Sequence, residues 1–325
     1  MKKKRRELLF LYVAAVAVLI VLIYGLPQVT GALTSTYTVK YGRLRIYDSA
    51  DGYIVRTEEV YRAGSGGTEN RYIRDGKLIR KGTKILEMTG SGSSSEDRDS
   101  AYEDLLDRLN GKAKETDSYR TDTEGVVSYT ADGYEYVLTP ENMTKKSRSF
   151  YEGLSNDEVT KLSPKDVKKG DPVFKLCSRG EWYVVCFVPE DHRDRYQTGK
   201  AIKLNLDGED VVRGTVYSIR SSGSYARLIV RTNYYYPDFA SKRKVQVNAV
   251  TSDSAGLLVE NRSIAKKNGH TGVYVKQKTG SFKFVRVNVI ATDGTTSVVS
   301  NSAFSDEKGN YVPTIGTYDE IRRRA

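Results

Sequence analysis

The side chains with the widest chemical reach are few in this chain: His192, His270, Cys177 and Cys186 among 325 residues. A Ser-His-Asp relay needs a histidine beside a nucleophile, so it would have to use one of the two. His192 lies in the charged run Glu190-Asp191-His192-Arg193-Asp194 and His270 in Asn268-Gly269-His270-Thr271, a turn sequence, so both read as solvated loop residues. A wall-peptidase zinc site needs several histidine ligands, and the two cysteines lack finger spacing. Those cysteines flank Ser178-Arg179-Gly180-Glu181, which reads as a four-residue hairpin loop. In that register they stand roughly 13 Å apart, beyond the approximately 7 Å limit for a disulfide, so two core thiols are expected. A Ser-Lys pair is a spatial match that leaves no linear signature. No glycine-rich stretch runs into the Gly-Lys-Ser/Thr of a phosphate loop. Asn142-Met143-Thr144 and Asn261-Arg262-Ser263 read as chance sequons. The inventory points away from an enzyme, a metal site or a bound cofactor and toward action by binding.

The elements that would carry such a function repeat. Ile79-Arg80-Lys81-Gly82-Thr83-Lys84-Ile85-Leu86-Glu87-Met88 lines up with Val167-Lys168-Lys169-Gly170-Asp171-Pro172-Val173-Phe174-Lys175-Leu176, 88 residues on. Each copy reads strand, tight turn, strand, with Gly82 or Gly170 supplying a positive φ. Gly52 and Gly125 precede β-branched stretches upstream of each copy and are read as turn positions too, as is Gly214 within Val211–Ile219. Two similar β units point to a quasi-symmetric sandwich built from halves; two unrelated hairpins with common turn chemistry are the alternative.

Between the halves, Gly90-Ser91-Gly92-Ser93-Ser94-Ser95 is a flexible joint. Ser94 with Asp97 three residues on opens a helix expected over Glu96 to about Thr116. Ala101, Leu105 and Leu109 recur every fourth residue, with Leu106 alongside, as a narrow apolar face to be buried against the Leu154–Leu162 segment or another copy. A helix is expected from Thr139-Pro140-Glu141, and a second short one through Leu154, Val159 and Leu162. The expected layout is stalk and first strand 27–50, first half 51–89, joint and helical insertion 90–120, and second half with its own insertion 121–190. A region of further strands over 191–300 and a solvated, disordered tail over 301–325 complete it.

The N-terminal end sets the compartment. Residues 1–7 are a basic leader, and residues 8–26 contain no charge. Nineteen residues at about 1.5 Å each reach roughly 28 Å, the thickness of a hydrocarbon core. Tyr12 and Tyr24 sit where aromatic rings favour the headgroup level. Five bases on the leader keep it cytoplasmic and place the rest outside, giving a single-pass protein of the cell membrane. Cleavage after a signal peptide at Thr30-Gly31-Ala32 is the competing reading. The formal charge of +11 is interspersed with acids, so nucleic acid is a poor partner and an anionic membrane face or wall polymer a better one. Tyr outnumbers Phe 24 to 8, which suits half-exposed strands whose hydroxyls stay wet.

The order of these parts resembles the HlyD-type membrane fusion proteins, the extracytoplasmic adaptors of efflux and secretion machines. Val211–Ile219 around Gly214 is similar to the family's barrel strand, and Gly256–Ile264 followed by Gly272–Lys276 to its membrane-proximal strand pair. The resemblance implies a mainly β protein: an N-terminal transmembrane helix, a split lipoyl-like (biotinyl-lipoyl) β-sandwich with short helical insertions, and a β-barrel with a membrane-proximal domain. It implies as partners the lipid bilayer, a permease in the same membrane and further copies of the chain. A lipoyl or biotin carrier presents a modifiable lysine between its halves; here the insertion occupies that place, and Gly111-Lys112-Ala113 lies late in the helix, so no cofactor attachment is expected. A helix of about 30 Å favours a short adaptor in a single-membrane bacterium over one docking to an outer-membrane channel. A non-transport scaffold of envelope assembly or division is the alternative function.

Overall fold

The computed structural model describes residues 12–16, 34–90, 100–109, 111–156, 159–162, 167–208 and 210–325. Residues 12–16 are helical, with Tyr12 exposed; the remainder of the span, Tyr24, the leader, the stalk to residue 33 and the joint at 91–95 lie outside the described residues. Among the described residues no helix is long and apolar enough to cross a membrane. The chain is mainly β and divides into two compact units, residues 47–251 and residues 1–46 with 252–325.

In the larger unit a five-stranded sheet runs in the order Leu78–Ile79, Gly125–Ser128, Pro172–Ser178, Glu58–Ala63 and Lys114–Thr116, the last pair parallel. Period-two alternation sorts its side chains. Tyr61, Phe174 and Leu176 enter one core with Ile85, Leu86 and Val127, while Val60, Lys175 and Cys177 face the other way. The two copies of the repeat are equivalent here, but neither is a hairpin of its own arms. Gly82 donates its N–H to the Thr121 carbonyl (2.7 Å), and Thr121 donates to Thr83 (3.2 Å). In the same way Gly170 donates to Ala63 (2.7 Å), and Ala63 to Asp171 (2.8 Å). Each turn therefore grips backbone of the other half. Gly82 (φ +81°) and Gly170 (φ +90°) have open space where a Cβ would sit, so backbone conformation alone selects glycine there.

A closed barrel follows. Its strands run Ala201–Leu206, Asp210–Ser222, Tyr225–Thr232, Trp182–Pro189, the end of Lys40–Val55 and the start of Lys244–Glu260, which pairs back with Ala201–Leu206. Closure leaves no free edge around the Val184, Leu204, Leu228, Val230 and Val247 core. Three expected turns are corrected by this topology. Gly52, Gly125 and Gly214 lie inside strands, where a Cβ would stand 2.1 Å from Val247 Cγ2, 2.4 Å from the Cys177 carbonyl oxygen and 2.6 Å from that of Arg231. They are glycines because a neighbouring chain passes too close.

Other expectations change with it. Pro172–Ser178 and Trp182–Pro189 belong to different sheets, so the Cys177–Cys186 connection is a crossover rather than a hairpin, and Trp182–Pro189 and Gly52–Val55 are barrel strands rather than parts of the sandwich halves. The insertion helix covers Ser100–Leu109, and Lys114–Thr116 is a strand. Downstream of Thr139 come a 3₁₀ turn at Met143–Lys145 and a short helix at Arg148–Glu152; Thr160–Lys161 pairs with Thr130–Ala131 where a second helix was expected.

In the smaller unit Thr36–Thr38, Glu320–Arg322, His270–Lys276, Ile264–Lys267 and Phe282–Arg286 form a five-stranded sheet over a core of Val39, Leu257, Val273, Val275, Ile315 and Ile321. The expected disordered tail is thus structural. Ile315 and Ile321 are fully buried, and Glu320–Arg322 pairs with Thr36–Thr38 because alternate apolar side chains there complete the core.

Candidate functional site

The helical insertion is the first candidate contact surface, and its apolar face is used within the chain. Leu105 and Leu109 are buried with Val60, Ala113, Ala131 and Leu162, and Leu106 is half-buried beside them. The side chain of Ala101 lies outside the described residues. Leu154 packs elsewhere, with Tyr53, Tyr151 and Val185. The helix therefore covers the outer face of the sandwich sheet.

On that same outer face, where the sandwich meets the barrel, six charged side chains are buried together. Arg243 donates from Nε to Asp132 Oδ2 (2.7 Å) and from Nη2 to Asp132 Oδ1 (3.0 Å) and Glu58 Oε2 (2.6 Å). Arg56 donates from Nε to Glu58 Oε1 (2.9 Å), and Lys175 Nζ lies 2.8 Å from the same oxygen and 3.2 Å from Glu135 Oε1. Backbone joins in: Arg56 donates to the Lys242 and Ala240 carbonyls, and Asp132 N–H donates to Glu135 Oε1. Three bases against three acids leave the cluster neutral, the condition for charges to persist in a low-dielectric interior.

The electrostatics are asymmetric. Burial works against ionisation of Asp132, yet Arg243 and Lys175 outweigh it and hold the carboxyl at about 2. Burial likewise opposes Glu58, and Arg243, Arg56 and Lys175 together pull it well below the usual carboxylate range. Glu135 goes the other way: burial exceeds the help from Lys175, its pKa is raised, and its Oε2 has no hydrogen-bond partner among the described residues. Such a cluster ties sandwich strands to barrel strands by directional bonds. Sequence reading passed over it, although one signal was present: Lys175 interrupts Val173-Phe174-Lys175-Leu176-Cys177, an apolar run that buries both faces.

The thiols and histidines fall into place around these elements. Cys177 and Cys186 are free and buried. Burial and the Glu58 carboxylate raise Cys177 to about 11, and burial with Asp48 raises Cys186 to about 12. His192 is not a solvated loop residue: its Nδ1 is 2.7 Å from Asp48, which also accepts from Tyr196 Oη (2.6 Å) and Arg195 (3.3 Å). Tyr196 carries the group into the barrel core, where its ring is buried. His270 is exposed at a hairpin tip. Gly214 borders a shallow polar cleft of about 360 Å³ on the barrel wall, where Arg231 pairs with Glu181 at 3.4 Å. Among the described residues no group of His, Cys, Asp and Glu has the arrangement of a metal site.

Two family models match in tandem. The one for the RND related, barrel-sandwich hybrid domain matches residues 58–178, and the one for the RND related, beta-barrel domain matches residues 182–253. Their bounds agree with the split between the two sheet systems at the Cys177–Trp182 crossover. Among curated proteins none matches the sequence. Solved structures that align with the chain include MacA from Actinobacillus actinomycetemcomitans, at 11% identity over 90% of this chain and 100% of that one, TM-score 0.35. A putative efflux transporter from Bacteroides eggerthii DSM 20697 aligns at 14% identity over 87% and 93%, TM-score 0.34. The membrane fusion protein Spr0693 from Streptococcus pneumoniae R6 aligns at 11% identity over 63% and 99%, TM-score 0.29. Alignments at these scores bear no weight for function. The two domain matches together cover more than half of the chain, in the order the sheets are built, and by them it belongs to the RND-related proteins built from a barrel-sandwich hybrid and a β-barrel domain.

Proposed function

We propose that this chain is an extracytoplasmic adaptor, anchored by residues 8–26 with its N-terminus in the cytoplasm, that binds an efflux or secretion permease in the same membrane. The observation that carries the reading is the tandem of barrel-sandwich hybrid and β-barrel domains. Action by binding agrees with the chemistry of the chain: the buried ion cluster is closed to substrate, and His192 is tied to Asp48 rather than to a nucleophile. The Ser100–Leu109 helix, about 15 Å long, supports a partner within reach of one membrane, as in a single-membrane bacterium. Crosslinking of the full chain in native membranes, followed by pull-down, tests the reading. Recovery of a permease, with an export defect on deletion, is the expected result. Recovery of only wall or division proteins, with export unchanged, would replace the adaptor by an envelope scaffold. Protease added to intact spheroplasts should degrade everything beyond about Thr30; a protected large domain would reverse the topology.

A further inference from the structure

Charge is divided unevenly between the two units. Residues 47–251 hold 33 Lys or Arg against 33 Asp or Glu, whereas residues 1–46 with 252–325 hold 19 against 8, so the whole formal charge of +11 belongs to the smaller unit. Five of those bases are in the leader, and the other 14 lie in the folded part, from Lys40 onward. Within that part, the five-stranded sheet turns Val273, Val275 and Ile321 to its core. Cross-strand register puts the alternate residues on the opposite face: Arg322 opposite Thr36, Lys276 opposite Phe282, Tyr274 opposite Phe284, and Lys267 opposite His270. Arg322 and Lys267 are exposed, and the two rings, edge to face at 5.5 Å, are half-buried. The strands place one acid there, Glu320, which Thr36 and Lys276 bind.

We propose that this face docks on anionic phospholipid headgroups of the membrane that holds the chain. Spread lysines and arginines attract lipid phosphate, and aromatic rings among them suit the headgroup level. The strand beginning at Thr36 starts ten residues after Leu26. An extended connection of that length spans at most about 35 Å. The identity of the membrane rests on the anchored reading above; the chemistry of the face does not. A neutral larger unit has no comparable attraction and stays free for protein contacts.

The test uses the full chain in nanodiscs of phosphatidylglycerol or phosphatidylcholine containing a headgroup-spin-labelled lipid. A fluorophore is placed by Thr38→Cys, an exposed position on the same face; because Cys177 and Cys186 are buried, it takes the label alone. Strong quenching in phosphatidylglycerol, little in phosphatidylcholine, and release at 1 M salt, where the Debye length is about 3 Å, are expected. Lys267→Gln, Lys276→Gln and Arg322→Gln combined should shift the docking equilibrium roughly a hundredfold, about fivefold for each charge, and restore the fluorescence. If that variant loses its fold, seen as lost β signal in circular dichroism, the salt arm on the unaltered face decides. Equal quenching in both lipids, or quenching that survives 1 M salt, overturns the proposal. A probe that stays bright in phosphatidylglycerol but responds to soluble polyphosphate overturns it in favour of an anionic polymer. A chain that leaves phosphatidylcholine discs yet binds phosphatidylglycerol discs reversibly with salt would sink the anchor while supporting the face.

Discussion

Arg243 and Asp132 meet through two hydrogen bonds, Nε to Oδ2 at 2.7 Å and Nη2 to Oδ1 at 3.0 Å, although they stand 111 positions apart in the chain. Arg243 precedes the barrel strand Lys244–Glu260 and Asp132 follows the strand Thr130–Ala131 within the sandwich segment, so the pair joins two domains that the chain makes separately. The geometry is bidentate and out of solvent, where a guanidinium and a carboxylate interact most strongly and are most damaging when separated.

Breaking the pair should therefore be expensive. Arg243→Met leaves Asp132 and Glu58 short of their main counter-charge and should lower stability by about 3–5 kcal/mol. Urea unfolding of the full chain in detergent, followed by the emission of Trp182, reports it, since Trp182 is buried in the barrel. Adding Asp132→Asn should recover part of the loss, with a coupling above about 1 kcal/mol. Strictly additive losses would dismantle the pairing.

The same cluster predicts a pH profile. Asp132 and Glu58 are depressed, so the stability they add is complete above their unfolded values and is lost as pH falls through the folded ones. For Asp132, the drop from 3.8 to about 2 is worth on the order of 2 kcal/mol. Glu135 is raised, so its charge weighs against the fold above its unfolded value and is relieved as pH falls. The urea midpoint should hold or rise slightly from pH 7 to 5 and collapse below about pH 4. Glu135→Gln should abolish the rise. A steady decline beginning near pH 7 would contradict the assignment.

Glycine substitutions should separate two causes. At Gly82 the space is open and only the φ of +81° resists a side chain, so Gly82→Ala should cost about 1 kcal/mol. At Gly125 a Cβ would stand 2.4 Å from a backbone oxygen of Cys177, and Gly125→Ala should cost more than twice as much. Equal effects in denaturant titrations would remove the distinction.

Thiol chemistry gives a further check. With Cys177 raised to about 11 and Cys186 to about 12, native alkylation at pH 8 should be slow and unaffected by reductant. Both should react at once in denaturant. A mass change on reduction would disprove the free thiols.

The helix face predicts a folding defect before a binding defect. Leu105→Glu buries a carboxylate among Val60, Ala131 and Leu162 and should lower stability by more than about 3 kcal/mol. An unchanged melting profile with weakened self-association would mean that the face meets another copy instead.

Local chemistry determined much of this protein. Positive φ at Gly82 and Gly170 was legible because the Lys-Gly turn recurs between apolar runs, and the equivalence of the two copies follows from their shared spacing. The order of sandwich, insertion and barrel was legible for the same reason: alternation and turn residues report strands within a few positions. The partners of those strands were not. Cys177 and Cys186 look like two arms of a hairpin, yet their strands join different sheets, because pairing depends on which edges the rest of the chain leaves open. Gly52, Gly125 and Gly214 resemble turn glycines and are in fact crowded by Val247, Cys177 and Arg231, neighbours 195, 52 and 17 positions away in the chain. Arg56, Glu58, Asp132, Glu135, Lys175 and Arg243 are ordinary surface residue types one at a time. Only the packed structure brings them together, since a buried charge is tolerable when its counter-charges arrive from distant segments, and no local spacing encodes that meeting.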